Sequence, residues 1–293
     1  RTRADEVSAD GAEESVDDPA ERALTRRAAV SGTVLLRNAV VEPIGRAALP
    51  IPLDGLDSVA VVGPNAVIDR SMGGGSASLT PFAHRTLLDA VTDRLADVSP
   101  TTTVAYEPGV RIDRLTPIVR RHRLRTPDDR PGVRLEYVNG TDWDAPAVVD
   151  TTSTSTMLRF FGTTPDEVDP IAFGARVTGS FIPEVDGPHE IGVVSTGPVV
   201  MTARTADGDP IPVVDDPDMQ LPRTREFFGY GSMESTAIVE AVAGEPIELS
   251  VKWKTAAGNG FAALRIGVRA PDPDDLFERA VAAAADADVA VGD

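Results

Sequence analysis

The sequence contains no cysteine. Disulfides and thiolate metal sites are therefore excluded, and the redox compartment is left open. Lysine is almost missing too: Lys252 and Lys254 are the only two, and every other basic residue is arginine. Against 28 Lys and Arg stand 46 Asp and Glu, for a formal net charge of −18. No nucleic acid is expected as a partner, because phosphate binding needs basic stripes. No apolar run approaches a membrane span, so no membrane partner is expected either. Residues 1–18 are polar and lack the apolar stretch of a secretory leader. They read as an acidic linker, and a soluble cytoplasmic protein is favoured over a secreted one. The histidines, His84, His122 and His189, lie far apart with no ligand spacing, which argues against a metal site. There is no Gly-x-Ser-x-Gly elbow, no dinucleotide fingerprint and no phosphate-binding loop with its lysine.

What is present begins with length. At 293 residues and 42% hydrophobic content, two domains with a sizeable core are expected. The organising stretch is Ser58–Ser78. Val59–Val62 is a short apolar run without alternation, as in a strand buried on both faces. Gly63-Pro64-Asn65 ends it, since Pro64 cannot donate to a ladder and its neighbours tolerate left-handed turns. Gly73-Gly74-Gly75-Ser76 then forms a loop with little side-chain bulk, open to close approach by a ligand or simply a flexible turn.

Around that stretch the pattern alternates. Asp18 can cap a helix with Pro19 at its first position and Glu21 as a capping-box acid, running to Ser31 with Gly32 as the C-terminal cap. Thr33–Arg37 reads as a strand. Leu49–Leu53 is an extended connector because each proline biases its predecessor away from helix. Thr86 caps a second helix, with Asp89 three residues on, and Leu87, Leu88, Val91, Leu95 and Val98 recur at helical spacing. Thr102–Tyr106 is the next strand. Helix and strand in alternation imply a parallel sheet.

The texture changes after Arg111. Residues 111–131 are rich in Arg, Asp and Pro and read as a linker. From Gly132 the periodicity is two: Val133–Tyr137, Ile247–Lys254 and Leu264–Arg269 alternate apolar and polar, as in antiparallel strands with one wet face. Turn signals recur at Asp186-Gly187-Pro188, Asp207-Gly208-Asp209 and Gly258-Asn259-Gly260. A β-sandwich follows over residues 132–270. Residues 271–293 then return to helix, from Asp272-Pro273, and to a buried strand at Asp288–Val291. The fold class expected is α/β plus all-β: a parallel-sheet α/β sandwich, incomplete here, interrupted by an inserted antiparallel β-sandwich. Residues 1–20 form a linker and 21–110 the first part of the α/β domain.

Several of these segments carry a family resemblance. Arg26–Val30 with Gly32–Asn38, then Leu49-Pro50, then Val59–Ala66 (VAVVGPNA) and Gly73–Ala77 (GGGSA) resemble the second domain of family-three glycoside hydrolases. Gly132–Tyr137, Ala175–Gly179, Gly187–Ile191, Phe227–Ser232 and Ala243-Gly244 resemble the protective-antigen-type sandwich inserted into that domain in some members. The resemblance implies a retaining β-glucosidase-like enzyme acting on terminal β-linked sugars without a cofactor. It implies that the catalytic Asp comes from a barrel domain of the same polypeptide, missing here, and that the acid/base Glu also lies outside this stretch. No residue of this chain is then a catalytic residue, and the chain alone is expected to be inactive. Some relatives of the inserted module bind calcium through adjacent aspartates. The matching turn here is Ser195-Thr196-Gly197, so no metal is implied. A non-catalytic carbohydrate-binding or adhesion module is the alternative reading.

The substrate-binding candidates are Phe227, Phe228 and Tyr230, with Gly74, Gly75 and Ser76 of the glycine loop. Sugars offer C–H faces that stack on aromatic rings, and Gly229 and Gly231 would let the loop bend over a site. The competing reading puts the two phenylalanines in the sandwich core. Asp207-Gly208-Asp209 reads as a hairpin turn rather than a cation site.

Overall fold

The structure is a computed structural model, and it describes residues 17–42, 45–69, 82, 85–140, 142–256 and 261–292. The chain divides into two compact units. One takes both ends, Arg1–Arg111 and Asp275–Asp293, and the other is Ile112–Asp274.

In the first unit, α1 spans Pro19–Gly32, started by the Asp18 carboxylate, which accepts from the Ala20 N–H at 2.8 Å. Gly32 is its last residue rather than its cap; Thr33 is the cap, in extended backbone. Thr33–Arg37 forms no strand. A strand needs a neighbour to take its backbone groups, and among the described residues none pairs with it. Leu36 stands 93% exposed there. A two-residue ribbon, β1 (Val40–Val41) with β2 (Arg46–Ala47), follows. The connector at 49–53 is pinned by Asn38, whose side chain both donates to and accepts from the Leu49 backbone.

β3 (Ser58–Val62) is the middle of a parallel sheet, between β4 (Thr103–Glu107) and the last strand, at Val289–Gly292. Val59 pairs with Val104 on one side and with Val289 on the other. Val59, Ala60 and Val61 are buried, as an apolar run without alternation requires. α2 (Leu87–Val98) has a full capping box: the Asp89 N–H donates to Thr86 Oγ1 at 3.1 Å, and the Thr86 N–H donates to Asp89 at 3.0 Å. Those bonds hold the Asp89 carboxyl below its usual range. Leu95 then packs into a core of Leu56, Val59, Val61 and Ala66.

The second unit is antiparallel. Its strands are β5 (Leu124–Arg125), β6 (Val133–Asn139), β7 (Val149–Ser153), β8 (Met157–Phe160), β9 (Phe173–Phe181), β10 (Gly187–Ser195), β11 (Val199–Arg204), β12 (Ile211–Asp216), β13 (Ser235–Ala241), β14 (Ile247–Lys254) and β15 (Ala262–Arg269). One sheet runs β13-β10-β15-β8 and the other β12-β11-β14-β9-β6-β7, with β5 beside β9. Both contribute to one core, from Ile191, Leu264 and Ile266 on one sheet to Val177, Val251 and Trp253 on the other. β14 alternates cleanly, with Ile247, Leu249, Val251 and Trp253 buried. Asp207-Gly208-Asp209 lies between β11 and β12, which pair as a hairpin.

Two sequence expectations fail here for one reason. Residues 111–131 are not a free linker, and β15 has no wet face. Ile118 bridges to Gly267, and the Val268 N–H donates to Pro117 O at 2.8 Å. Those contacts pair the segment with the edge of β15. Thr116 beside them lies over its face, where a Cβ on Gly267 would meet the Thr116 carbonyl oxygen at 2.2 Å, so Arg265 and Gly267 are buried with their apolar neighbours. Arginine-rich composition hid the buried anchors Thr116, Val119 and Leu124. The two ends of the unit also meet: Arg269 Nη2 donates to Asp113 O at 3.1 Å.

The chain returns through α3 (Leu276–Asp286) to β16 (Val289–Gly292). The helix starts later than the Asp272-Pro273 signal, with Asp275 at its cap position. None of the helices is long and apolar enough to cross a membrane among the described residues. Asp288 ties β16 to the sheet. Its carboxylate accepts from the Asp57 and Ser58 N–H groups, both at 2.9 Å, and from Ser58 Oγ at 3.2 Å. These backbone bonds, then the hydroxyl, hold its carboxyl below the usual range. A depressed carboxyl stabilises the fold above its unfolded pKa of about 3.9. That contribution is lost as pH falls through the lower folded value. Amide protection at Val59 and Val289, taken relative to the intrinsic exchange rate at each pH, should fall in acid below about pH 4. In Asp288→Ala protection should be lower at neutral pH and lack that acid step. An unchanged acid profile in the variant would remove Asp288 from this role.

Candidate functional site

The aromatic candidates sit on the loop between β12 and β13. Its neck is closed by backbone bonds: Thr224 N–H to Gly231 O at 2.8 Å, Gly231 N–H to Glu226 O at 2.9 Å and Ser232 N–H to Ser195 O at 2.8 Å. Arg223 Nη1 donates to Ser195 O at 3.1 Å and to Tyr230 O at 3.3 Å. Gly231 is required at the neck, since a Cβ there would meet the Glu226 carbonyl oxygen at 2.9 Å.

The tip is strained. Phe227 (φ 50°, ψ 49°) and Phe228 (φ 61°, ψ 27°) are both left-handed, and Gly229 follows at φ 92°. Bulky residues rarely adopt this conformation. Each costs on the order of 1–3 kcal/mol and persists only where its surroundings impose it.

The strain turns the rings outward. Phe228 is 64% exposed and Tyr230 47%, and Phe227 is half-buried. None of the three belongs to the core, whose aromatics are Tyr137, Phe160, Phe173, Phe181 and Trp253. The loop rings gather on Phe261, at 6.0 Å from Phe227 and 5.5 Å from Phe228. Phe161 joins at 4.7 Å from Phe261 and is 62% exposed. An exposed cluster of this kind in a chain with 5% aromatic residues is the sort of apolar patch that marks a contact surface. The sequence reading missed Phe161 and Phe261. A weak signal existed: β8 ends at Phe160, which points inward, so its neighbour Phe161 must point out.

The cluster's nearby carboxylates are spoken for. Glu226 pairs with Arg114, and Glu234 pairs with Arg265 at 3.3 Å. Gly74, Gly75 and Ser76 lie outside the described residues, as does His84. His122 is 3.6 Å from Glu184 at the surface, and His189 is buried with Nδ1 3.0 Å from Gly187 O. Among the described residues no group of side chains could hold a metal. In the first unit, a depression of about 390 Å³ opens where the parallel strands end, lined by Val62, Gly63, Gly109, Phe277 and Ala280 among others. Its walls are apolar and offer no acid or base.

Comparison with known proteins completes the description. Residues 33–292 match the model of the glycosyl hydrolase family 3 C-terminal domain. A probable β-glucosidase K of Aspergillus fumigatus is 30% identical over 302 residues, covering 99% of this chain and 36% of the relative. A β-glucosidase of Rhizobium radiobacter is 29% identical over 293 residues, covering 99% of this chain and 33% of the relative. The chain thus spans about a third of the length of these curated relatives. Among solved structures, β-glucosidase from Kluyveromyces marxianus superposes with a TM-score of 0.75 at 22% identity, covering 98% of this chain and 33% of that one. The same enzyme in complex with glucose gives a TM-score of 0.74 over 94% of this chain and 32% of that one.

Proposed function

Because the chain belongs to the glycosyl hydrolase family 3 C-terminal domain family, we propose that it serves a retaining β-glucosidase-like hydrolase acting on terminal β-linked sugars. The first unit is read as the α/β sandwich domain of that enzyme. The second is read as an inserted protective-antigen-type β-sandwich that limits which substrates fit. The observation that carries this reading is the strained loop at Phe227-Phe228, which holds rings in solvent where a core would have taken them in. Phe227, Phe228 and Tyr230 would touch the substrate on its leaving-group side. A free-standing adhesion module is disfavoured, since the family match covers both units.

Retaining cleavage needs two carboxyl groups about 5–5.5 Å apart, one nucleophile and one acid/base. Glu226 and Glu234 are each committed to an arginine, and the resemblance assigns both catalytic groups to a barrel domain and to sequence outside this chain. Purified residues 1–293 should therefore release no phenol from an aryl β-glucoside above the buffer rate. Turnover that survives repurification would place a carboxylate pair in this chain and overturn the assignment.

A further inference from the structure

The loop that carries the aromatic rings is gripped twice by one short segment upstream. Arg114 holds Glu226 at the start of the tip. Two residues on, Thr116 is fully buried and is held by Glu234, just past the loop's end. The Glu234 carboxylate accepts from the Thr116 N–H at 3.0 Å and from Thr116 Oγ1 at 2.6 Å. Arg265 closes the set, pairing with Glu234 at 3.3 Å and donating to the Thr116 carbonyl. Every polar atom of Thr116 is thus engaged.

The sheet is shaped for this contact. Gly192 of β10 and Gly267 of β15 are register partners. A Cβ on Gly192 would meet Thr116 Oγ1 at 2.5 Å and Glu234 Oε1 at 2.6 Å. A Cβ on Gly267 would meet Thr116 O at 2.2 Å. Two facing glycines leave a notch in the strand pair, and Thr116 fills it. Neither position has a positive φ, so the requirement is for space alone.

Stability is a poor account of this arrangement. Glu234 and Arg265 are only 12% and 10% exposed, and burial pushes the Arg265 guanidinium below its usual range. A buried ion pair is often no better than an apolar pair of the same volume. What it does supply is direction, because three hydrogen bonds on one carboxylate admit one geometry.

We infer that Arg114–Thr116 acts as a strap, with Arg114, Thr116, Glu234 and Arg265 as positioning residues that hold the Phe227–Tyr230 rings in their outward conformation. Its value for sugar selection rests on the function proposed above, but the strap itself can be tested without any ligand. The full chain carrying 4-fluorophenylalanine at position 228 is examined by fluorine NMR. The wild-type loop should give one narrow resonance. In Arg114→Ala the melting temperature should stay within a degree or two, because the arginine is half exposed. The resonance should nevertheless split or broaden, with a second population of about a tenth or more. Arg114→Lys should restore the single line. Glu234→Gln keeps the shape of the side chain and removes its charge, and it should broaden the same resonance. If Glu234→Gln does not fold, Arg114→Ala still decides. A single unshifted resonance in folded Arg114→Ala overturns the strap. Absence of saccharide binding would leave this spectrum unchanged and would count only against the functional reading.

Discussion

Replacing Trp253 by alanine is expected to lower the thermal midpoint of the antiparallel unit by about 6–20 °C. Trp253 lies on β14, inside the larger sheet, and is 0% exposed. Its ring is stacked on Phe160 at 5.7 Å and meets Phe173 edge-on at 5.6 Å. Phe160 belongs to the other sheet, so this one side chain joins the two. Removing a buried aromatic ring costs about 3–5 kcal/mol, because contacts are lost and the cavity only partly collapses. For a unit of this size each kcal/mol shifts the midpoint by about 2–4 °C. Among the described residues, Trp253 Nε1 has no hydrogen-bond partner. Trp253→Phe should therefore cost far less, about 1.5 kcal/mol or below, if the smaller ring keeps the stack. Calorimetry on both variants checks the pair. Similar losses for Ala and Phe would mean that the indole is not placed as described.

How much of this was legible in the sequence depended on whether a signal was local. The parallel sheet was legible because Val59–Val62 is apolar without alternation, as in a strand buried on both faces. Val289–Val291 pairs with it as expected but is not the buried strand its letters suggest, since it lies at the sheet's edge with Ala290 exposed. The capping box at Thr86 and Asp89 was legible because its two partners are three residues apart. β14 was legible because one face is buried and the other is wet. β15 has the same alternating letters, yet both of its faces are buried. The difference lies in Thr116, far away in sequence, which lies over the face of Gly267, and no periodicity within β15 reports it. Thr33–Arg37 failed in the opposite way: its composition suits a strand, but composition supplies no neighbour. At the candidate site, Phe227-Phe228 between glycines announced an unusual loop. That the loop would gather on Phe261 and Phe161 was not readable, because those residues come from two other connections that meet only in the folded unit.

The same reasoning makes Phe228→Ala the sharpest probe of function. The ring is exposed and its backbone is left-handed, so truncation removes contact surface without opening a cavity. Stability should stay constant within about 0.5 kcal/mol, as for other exposed sites. An aromatic contact of this kind is worth about 0.5–1.5 kcal/mol beyond its area, so contact with a sugar should weaken by about two- to tenfold. The direct measurement is saturation-transfer NMR of a β-linked glucose disaccharide against residues 1–293, a method suited to weak binding. The account predicts transfer to the sugar ring protons from the wild-type chain, reduced several-fold in Phe228→Ala at an unchanged melting temperature. Equal transfer from both proteins, or none from the wild type, would contradict the claim that this loop is a sugar-contact surface.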